Sequence, residues 1–178
     1  MVNAIKQLLT AIGVDPDSEV MRETPRRVAD SLAELIASPP FTVSIFPNTQ
    51  SYDELVVVKD IPFSSLCEHH LLPFSGVIHM GYLPHRGVIG LSKLARAAQY
   101  HSKGLQVQER LTTQLADWMV TALDPLGAGV VVKATHLCMT LRGAKAVGSL
   151  TTTSALRGTL RDDPRTRAEF FAIVNAQN

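Results

Sequence analysis

From residue 55 onward the apolar residues change their spacing in a fixed order, and that order constrains the fold more than any other feature. Leu55–Ile61 (LVVVKDI) and Phe74–Leu83 (FSGVIHMGYL) are β-branched or alternating runs and are predicted as strands. Residues 91–100, and then a stretch carrying Leu111, Leu115, Met119 and Ala122, repeat at helical spacing. Val130–Cys138 (VVVKATHLC) and Leu150–Leu160 (LTTTSALRGTL) return to strand character, and Asp163-Pro164 opens a final helix with Ala168, Phe171 and Val174. A β-β-α-α-β-β order predicts an α+β fold, an antiparallel sheet with helices on one face. Residues 1–53 form a helical region of their own. One helix spans 3–12 and stops at Gly13, and a second has Thr24 as cap, Pro25 in its first turn and Pro39-Pro40 beyond its end. Residues 41–53 are a weakly patterned connection, and 54–178 make the main domain. The stretch 62–73, bracketed by Pro62 and Pro73, is expected as a loop.

Charge and composition narrow the classes of function. Hydrophobic residues make up 46% and charged residues 19% of the 178, enough for a core and too apolar for wholesale disorder. The net charge of +1 argues against a nucleic-acid coat or a polybasic membrane binder. That near-balance hides an asymmetry: residues 1–60 hold five basic and nine acidic side chains, whereas 61–178 hold twelve and seven. An anionic ligand is therefore expected in the later part. The N-terminus lacks the basic and long apolar regions of a signal peptide, and no run of 18 apolar residues occurs, so no membrane span and a cytoplasmic location are expected.

Two cysteines exclude a disulfide-rich scaffold. Cys67 falls in Cys67-Glu68-His69-His70, and Cys138 in His136-Leu137-Cys138. The C-x-x-H spacing lets a tight loop aim a thiolate and an imidazole at one ion. On a strand running to Cys138, His136 and Cys138 would share a face. Cys67, His70 and Cys138 are one possible ligand set, and three protein ligands leave a zinc ion an open position for water. His69 and His136 then remain for proton transfer. The same residues are also compatible with a disulfide or two buried thiols among ordinary polar histidines. A second constellation is basic: Ser92, Lys93 and Arg96 at the start of a predicted helix, Arg142 shortly after Cys138, and Arg27 in the second helix. A helix N-terminus with cations suits phosphate, and a solvated helix face is the alternative. In Gln106-Val107-Gln108-Glu109-Arg110, the Glu109 carboxylate can accept two parallel hydrogen bonds from an amidine-like N–H pair, such as a guanine edge carries, or can simply favour the helix dipole.

Taken together, SSLCEHHLLPFSG (64–76), VIGLSKLAR (88–96), LQVQERLT (105–112), THLCMTLRG (135–143) and TTTSALRG (151–158) resemble the GTP cyclohydrolase I family. RDDPRTRAEF (161–170) and, more loosely, ETPRRVA (23–29) extend the likeness. The resemblance implies the tunnelling fold: a four-stranded antiparallel sheet with two helices on one side, and an N-terminal helical extension. In the family these subunits join edge to edge into an oligomeric barrel, and stacked rings form a homodecamer with active sites between subunits. It implies hydrolytic opening of the guanine imidazole ring of GTP, release of formate and formation of 7,8-dihydroneopterin triphosphate, with 54–178 as the catalytic domain. Cys67, His70 and Cys138 match the ligands of one Zn2+ per subunit. His136 matches the main acid/base, placed at N7, and His69 the second catalytic histidine. Glu109 matches the carboxylate that grips guanine, and Gln108 its neighbour near the reacting end. Ser92, Lys93, Arg96, Arg142 and Leu91 match residues around the triphosphate and ribose, Ser92 also serving the sugar rearrangement. Arg27 is a further expected phosphate contact.

Overall fold

The structure, a computed structural model, describes residues 1–176. It divides into two compact units, Met1–Ala37 and the chain from Ser38 onward. The first unit is a helix pair, α1 (Val2–Ala11) and α2 (Thr24–Ile36), with Ile5, Pro25 and Ala29 buried. Thr24 is the first residue of α2 rather than its cap, which is Glu23. Arg26 holds the first turns of α2 through Glu23 and Asp30, each at 2.9 Å.

In the second unit the elements run β1 (Ile45–Pro47), β2 (Val56–Cys67), β3 (Pro73–Leu83), β4 (Gly87–Ile89), α3 (Leu91–Ser102) and β5 (Leu105–Gln106). They continue with α4 (Gln108–Leu123), β6 (Gly127–His136), α5 (Leu137–Thr140), β7 (Thr151–Gly158), α6 (Thr159–Asp162) and α7 (Pro164–Asn175). The main sheet has the order β5-β2-β3-β6-β7. Its four long strands are antiparallel, and β5 adds two parallel residues, Leu105 and Gln106, beside Leu66 and Cys67. β1 and β4 form a separate two-stranded ribbon.

Alternation along the strands sends side chains to two apolar layers. Ile78, Met80 and Tyr82 of β3 and Val130 and Val132 of β6 meet Leu94 and Ala97 of α3 and Leu111, Leu115 and Met119 of α4. Each fully buried side chain of this kind contributes about 1.5–3 kcal/mol of transfer free energy. Val131 faces the other way, into a layer made with Leu160, Phe170 and Val174. The sheet is thus covered on both sides: α3 and α4 lie on the expected face, and the C-terminal helices on the other. Phe170 lies over two glycines. A Cβ at Gly81 would stand 2.8 Å from its ring, and one at Gly129 2.9 Å, so these positions take no side chain without moving α7.

Two further expectations are corrected. Pro62–Leu66 is strand, not loop: β2 continues through Pro62, which pairs with Val77. Proline is tolerated there because β2 is an edge strand until Leu66. The strand carries a bulge between Val58 and Ile61, with Asp60 at a φ of 57°. The second correction concerns Val130–Cys138, whose last residues are not extended. β6 ends at His136, and Cys138 lies on the helical turn α5.

Candidate active site

β2 and β6 run in the same direction on either side of β3, so Cys67, which ends β2, and His136, which ends β6, arrive at one edge of the sheet. The chain turns sharply after Cys67. Its carbonyl accepts the Leu71 and His70 N–H groups at 2.8 and 3.3 Å, and its own N–H donates to the Leu72 carbonyl at 2.9 Å. Leu71 takes a left-handed φ of 54° to close the turn. This places His69 Nδ1 at 3.9 Å and His70 Nδ1 at 4.0 Å from Cys67 Sγ. Cys138 enters from α5, although not by strand alternation. One donor atom each from Cys67, His70 and Cys138 lie within 4.8 Å of one another, a group that could hold a metal ion. Both cysteines are free thiols, Cys67 buried and Cys138 half-buried. Burial pushes the Cys138 thiol above its ordinary pKa, and the adjacent Cys67 sulfur adds to that effect.

The turn is tied to α4. Glu68 N–H donates to the Gln106 carbonyl at 3.1 Å. Arg110 spans Gln106 Oε1 at 2.9 Å, the Leu105 carbonyl at 2.8 Å and Glu68 Oε2 at 2.6 Å. A cavity of about 220 Å³ opens beside the turn, lined by Cys67, His69, Gln108, Glu109, His136 and Cys138, together with Gln106, Val107, Met139 and Thr151. His136 stacks on Phe74 with ring centres 4.6 Å apart and 4° between planes. Its Nε2 is 2.7 Å from Gln108 Oε1. Burial lowers the pKa of His136, and the Glu109 carboxylate opposes that shift. A neutral ring at neutral pH, next to a carboxylate and three metal-type donors, is suited to moving protons during a hydrolysis.

The expected phosphate residues lie outside this cavity. Leu91, Ser92, Lys93 and Arg96 occupy the first turns of α3, and Arg142 an exposed position after α5. Arg96 lines a different hollow of about 230 Å³ with Pro39, Pro40, Phe41 and Gln99. Arg27 is on α2 of the first unit. Phe74, Arg110 and Thr153 support the site without having been singled out in the sequence. The alternation Thr151-x-Thr153 was a readable signal, since both face α4, whereas the pairing of Phe74 with His136 depends on a strand register that sequence does not display.

Known proteins give a consistent answer. The profile of the family described as GTP cyclohydrolase I matches residues 1–175. A protein named GTP cyclohydrolase 1 from Synechococcus sp. (strain JA-2-3B'a(2-13)) is 46% identical over 98% of this chain and 78% of its own length. Proteins of the same name from Acetivibrio thermocellus and Aquifex aeolicus are 49% and 48% identical, covering 98% and 96% of this chain and 95% and 93% of theirs. Among solved structures, the apo form of the archaeosine synthase QueF-like matches 58% of this chain and 93% of its own at 19% identity and a TM-score of 0.49. With a family profile spanning nearly every residue and relatives matched along most of their own length, the chain belongs to the GTP cyclohydrolase I family of enzymes.

Proposed function

We propose that the protein is a zinc-dependent GTP cyclohydrolase that opens the imidazole ring of GTP by hydrolysis, releases formate and yields 7,8-dihydroneopterin triphosphate. The observation that carries the proposal is the convergence of Cys67, His70 and Cys138 beside His136 and Glu109. Two thiols and an imidazole form a donor set that zinc takes; tetrahedral ligands at about 2.0–2.3 Å stand roughly 3.3–3.8 Å apart, and here Cys67 Sγ and His70 Nδ1 are 4.0 Å apart and all three donor atoms lie within 4.8 Å of one another. Zinc, when bound, lowers the pKa of water and so provides a nucleophile at neutral pH. In this reading Cys67, His70 and Cys138 hold the ion. Glu109 accepts from the N–H groups of the guanine edge and fixes the ring. His136 takes up a proton from the attacking water and delivers it at N7 as the ring opens, and His69 is a second acid/base at the exposed rim. Gln108 stands behind the reacting end. Ser92, Lys93, Arg96 and Arg142, with Leu91 beside them, bind the triphosphate and ribose, and Ser92 serves the later rearrangement.

An assembly is part of the proposal. A cavity of about 220 Å³ is below the roughly 300–1,000 Å³ of ordinary ligand pockets, and it lacks the cations a triphosphate requires. Neighbouring copies would supply the remaining walls. The sheet offers two edges for this purpose. β7 ends the strand order, and β2 is paired on its outer side only at Leu66 and Cys67. This supports the tunnelling fold, with sheets joined into a barrel and rings stacked into a decamer. No helix among the described residues is long and apolar enough to cross a membrane; a cytoplasmic location is part of the proposal.

The test is incubation of zinc-loaded protein with GTP, following formate and the pterin absorbance. Turnover should vanish on chelation and return with zinc. His136→Ala should abolish it with zinc still bound. Zinc-loaded, assembled protein that leaves GTP intact overturns the proposal.

A further inference from the structure

The side chain of Gln108 is 1% exposed, and every hydrogen on its amide is spoken for inside the protein. Its Nε2 lies 3.0 Å from the Val132 carbonyl, 3.0 Å from the Thr151 carbonyl and 3.2 Å from Thr153 Oγ1. Carbonyl oxygens only accept, so the amide atom facing two of them must be the NH2 group. Rotating the amide by half a turn would press its oxygen against both carbonyls and forfeit the bonds to them.

The neighbouring hydroxyls agree on the same direction. Thr112 Oγ1 donates to the Gln108 carbonyl at 2.7 Å. That hydrogen is then committed, so in the 2.6 Å contact between Thr112 and Thr153 the Thr153 hydroxyl is the donor. Its oxygen is left to accept from Gln108. Thr153 Oγ1 is thus a third acceptor around an NH2 group with two hydrogens, one of which it shares with a carbonyl. Gln108 Oε1 therefore points at His136 Nε2, 2.7 Å away. An amide oxygen has no hydrogen to give, so the hydrogen in that bond belongs to the histidine. Phe74, stacked on the imidazole, fixes the plane in which the bond lies.

We infer that Gln108 is a positioning residue which holds His136 in the Nε2–H tautomer, leaving Nδ1 as the single ring nitrogen that exchanges a proton with substrate. The catalytic meaning rests on the role given to His136 in the proposed function, whereas the tautomer itself does not. It also changes what Gln108 does: with both N–H groups engaged by the protein, it has none to offer a nucleotide and acts through the histidine. The framework is rigid because its anchors are main-chain carbonyls of β6 and β7 rather than mobile side chains.

The experiment is a two-bond 1H–15N correlation spectrum of the full-length, zinc-loaded protein labelled at histidine, in which the two tautomers give different nitrogen shifts. The spectrum of His136→Gln identifies the His136 signal by its loss. The expected result is a hydrogen on Nε2, and a His136 ring carrying it on Nδ1 overturns the inference without any Gln108 variant. Gln108→Leu, which removes the acceptor, should release the preference and lower kcat by on the order of 10²–10⁴-fold, with KM for GTP little changed. A Gln108→Leu protein that folds and keeps the Nε2–H signature also overturns the inference. Nε2–H without turnover of GTP would count against the proposed function alone, and Nδ1–H with turnover against this inference alone.

Discussion

Removing the Arg110 side chain should loosen the metal ligands without touching them. Arg110 reaches from α4 to the turn that carries Cys67 and His70, bonding Glu68 Oε2, the Leu105 carbonyl and Gln106 Oε1. The ion pair is 2.6 Å long, but its two side chains are 40% and 33% exposed, so solvent screening limits it to about 0.5–1 kcal/mol. The bonds to Leu105 and Gln106 add about 1 kcal/mol each. In Arg110→Ala the turn keeps its main-chain ties, the Glu68 N–H to the Gln106 carbonyl and the pairing of Leu66 and Cys67 with Leu105 and Gln106. The loss of roughly 2–3 kcal/mol of ordering corresponds to a 30- to 150-fold change at about 1.4 kcal/mol per tenfold. That overlaps the roughly 10–100-fold that outer partners of metal ligands commonly supply. The assay is competition for zinc against a chromophoric chelator at fixed pH, with the melting temperature of the zinc-free protein as control. Glu68→Gln should weaken zinc less, and the two changes combined should fall short of additive. An Arg110→Ala protein with zinc affinity within about threefold of the parent would refute the idea that α4 holds the turn.

Phe170→Ala should cost about 3–5 kcal/mol in urea denaturation, because the ring is fully buried on Gly81 and Gly129; a loss under 1 kcal/mol would show that α7 contributes little to the sheet. His79 should make the protein acid-sensitive. Burial lowers its pKa, Lys133 and Lys59 act in the same direction, and Asp60 opposes them. The unfolded chain therefore takes up a proton near the ordinary imidazole value while the fold still resists it. Stability is retained above that value and falls below it by at most about 1.4 kcal/mol per pH unit, down to the folded pKa. His79→Asn keeps an acceptor for the Asp60 N–H and removes the titration, so its acid-side slope should be shallower; an unchanged slope in pH-dependent denaturation would contradict this.

Much of this was legible in the order of periodicities. The β-branched run Val130-Val131-Val132 foretold a strand and the helical stripe of Leu111, Leu115 and Met119 foretold α4, but the expectation of helices on one face did not foresee that Phe170 and Val174 of α7 cover the other. What local pattern did not disclose were competitions settled by tertiary contacts. Pro62 looked like a loop boundary because proline breaks ladders, yet it sits on an edge strand where that matters less. Cys138 looked like strand because Val130–His136 is so β-prone, and nothing in the next residues marked the switch into α5. The ligand residues were visible as types and spacings. The framework around them was not, since Gln108, Thr112 and Thr153 become one unit only when α4 is laid across β6 and β7.

The bulge in β2 decides which side of the sheet the first thiol emerges on. Before it, the even-numbered Val56 and Val58 point into the layer under α3 and α4, and Leu55 and Val57 into the opposite layer. After it, the odd-numbered Ile61, Phe63 and Cys67 occupy the first layer. One surplus residue therefore inverts the parity of the strand. Without it, Cys67 would emerge on the face toward α7, with the whole sheet between it and Gln108. The left-handed Asp60 is thus a phase shifter, and the chemistry seven residues downstream depends on that single step of arithmetic.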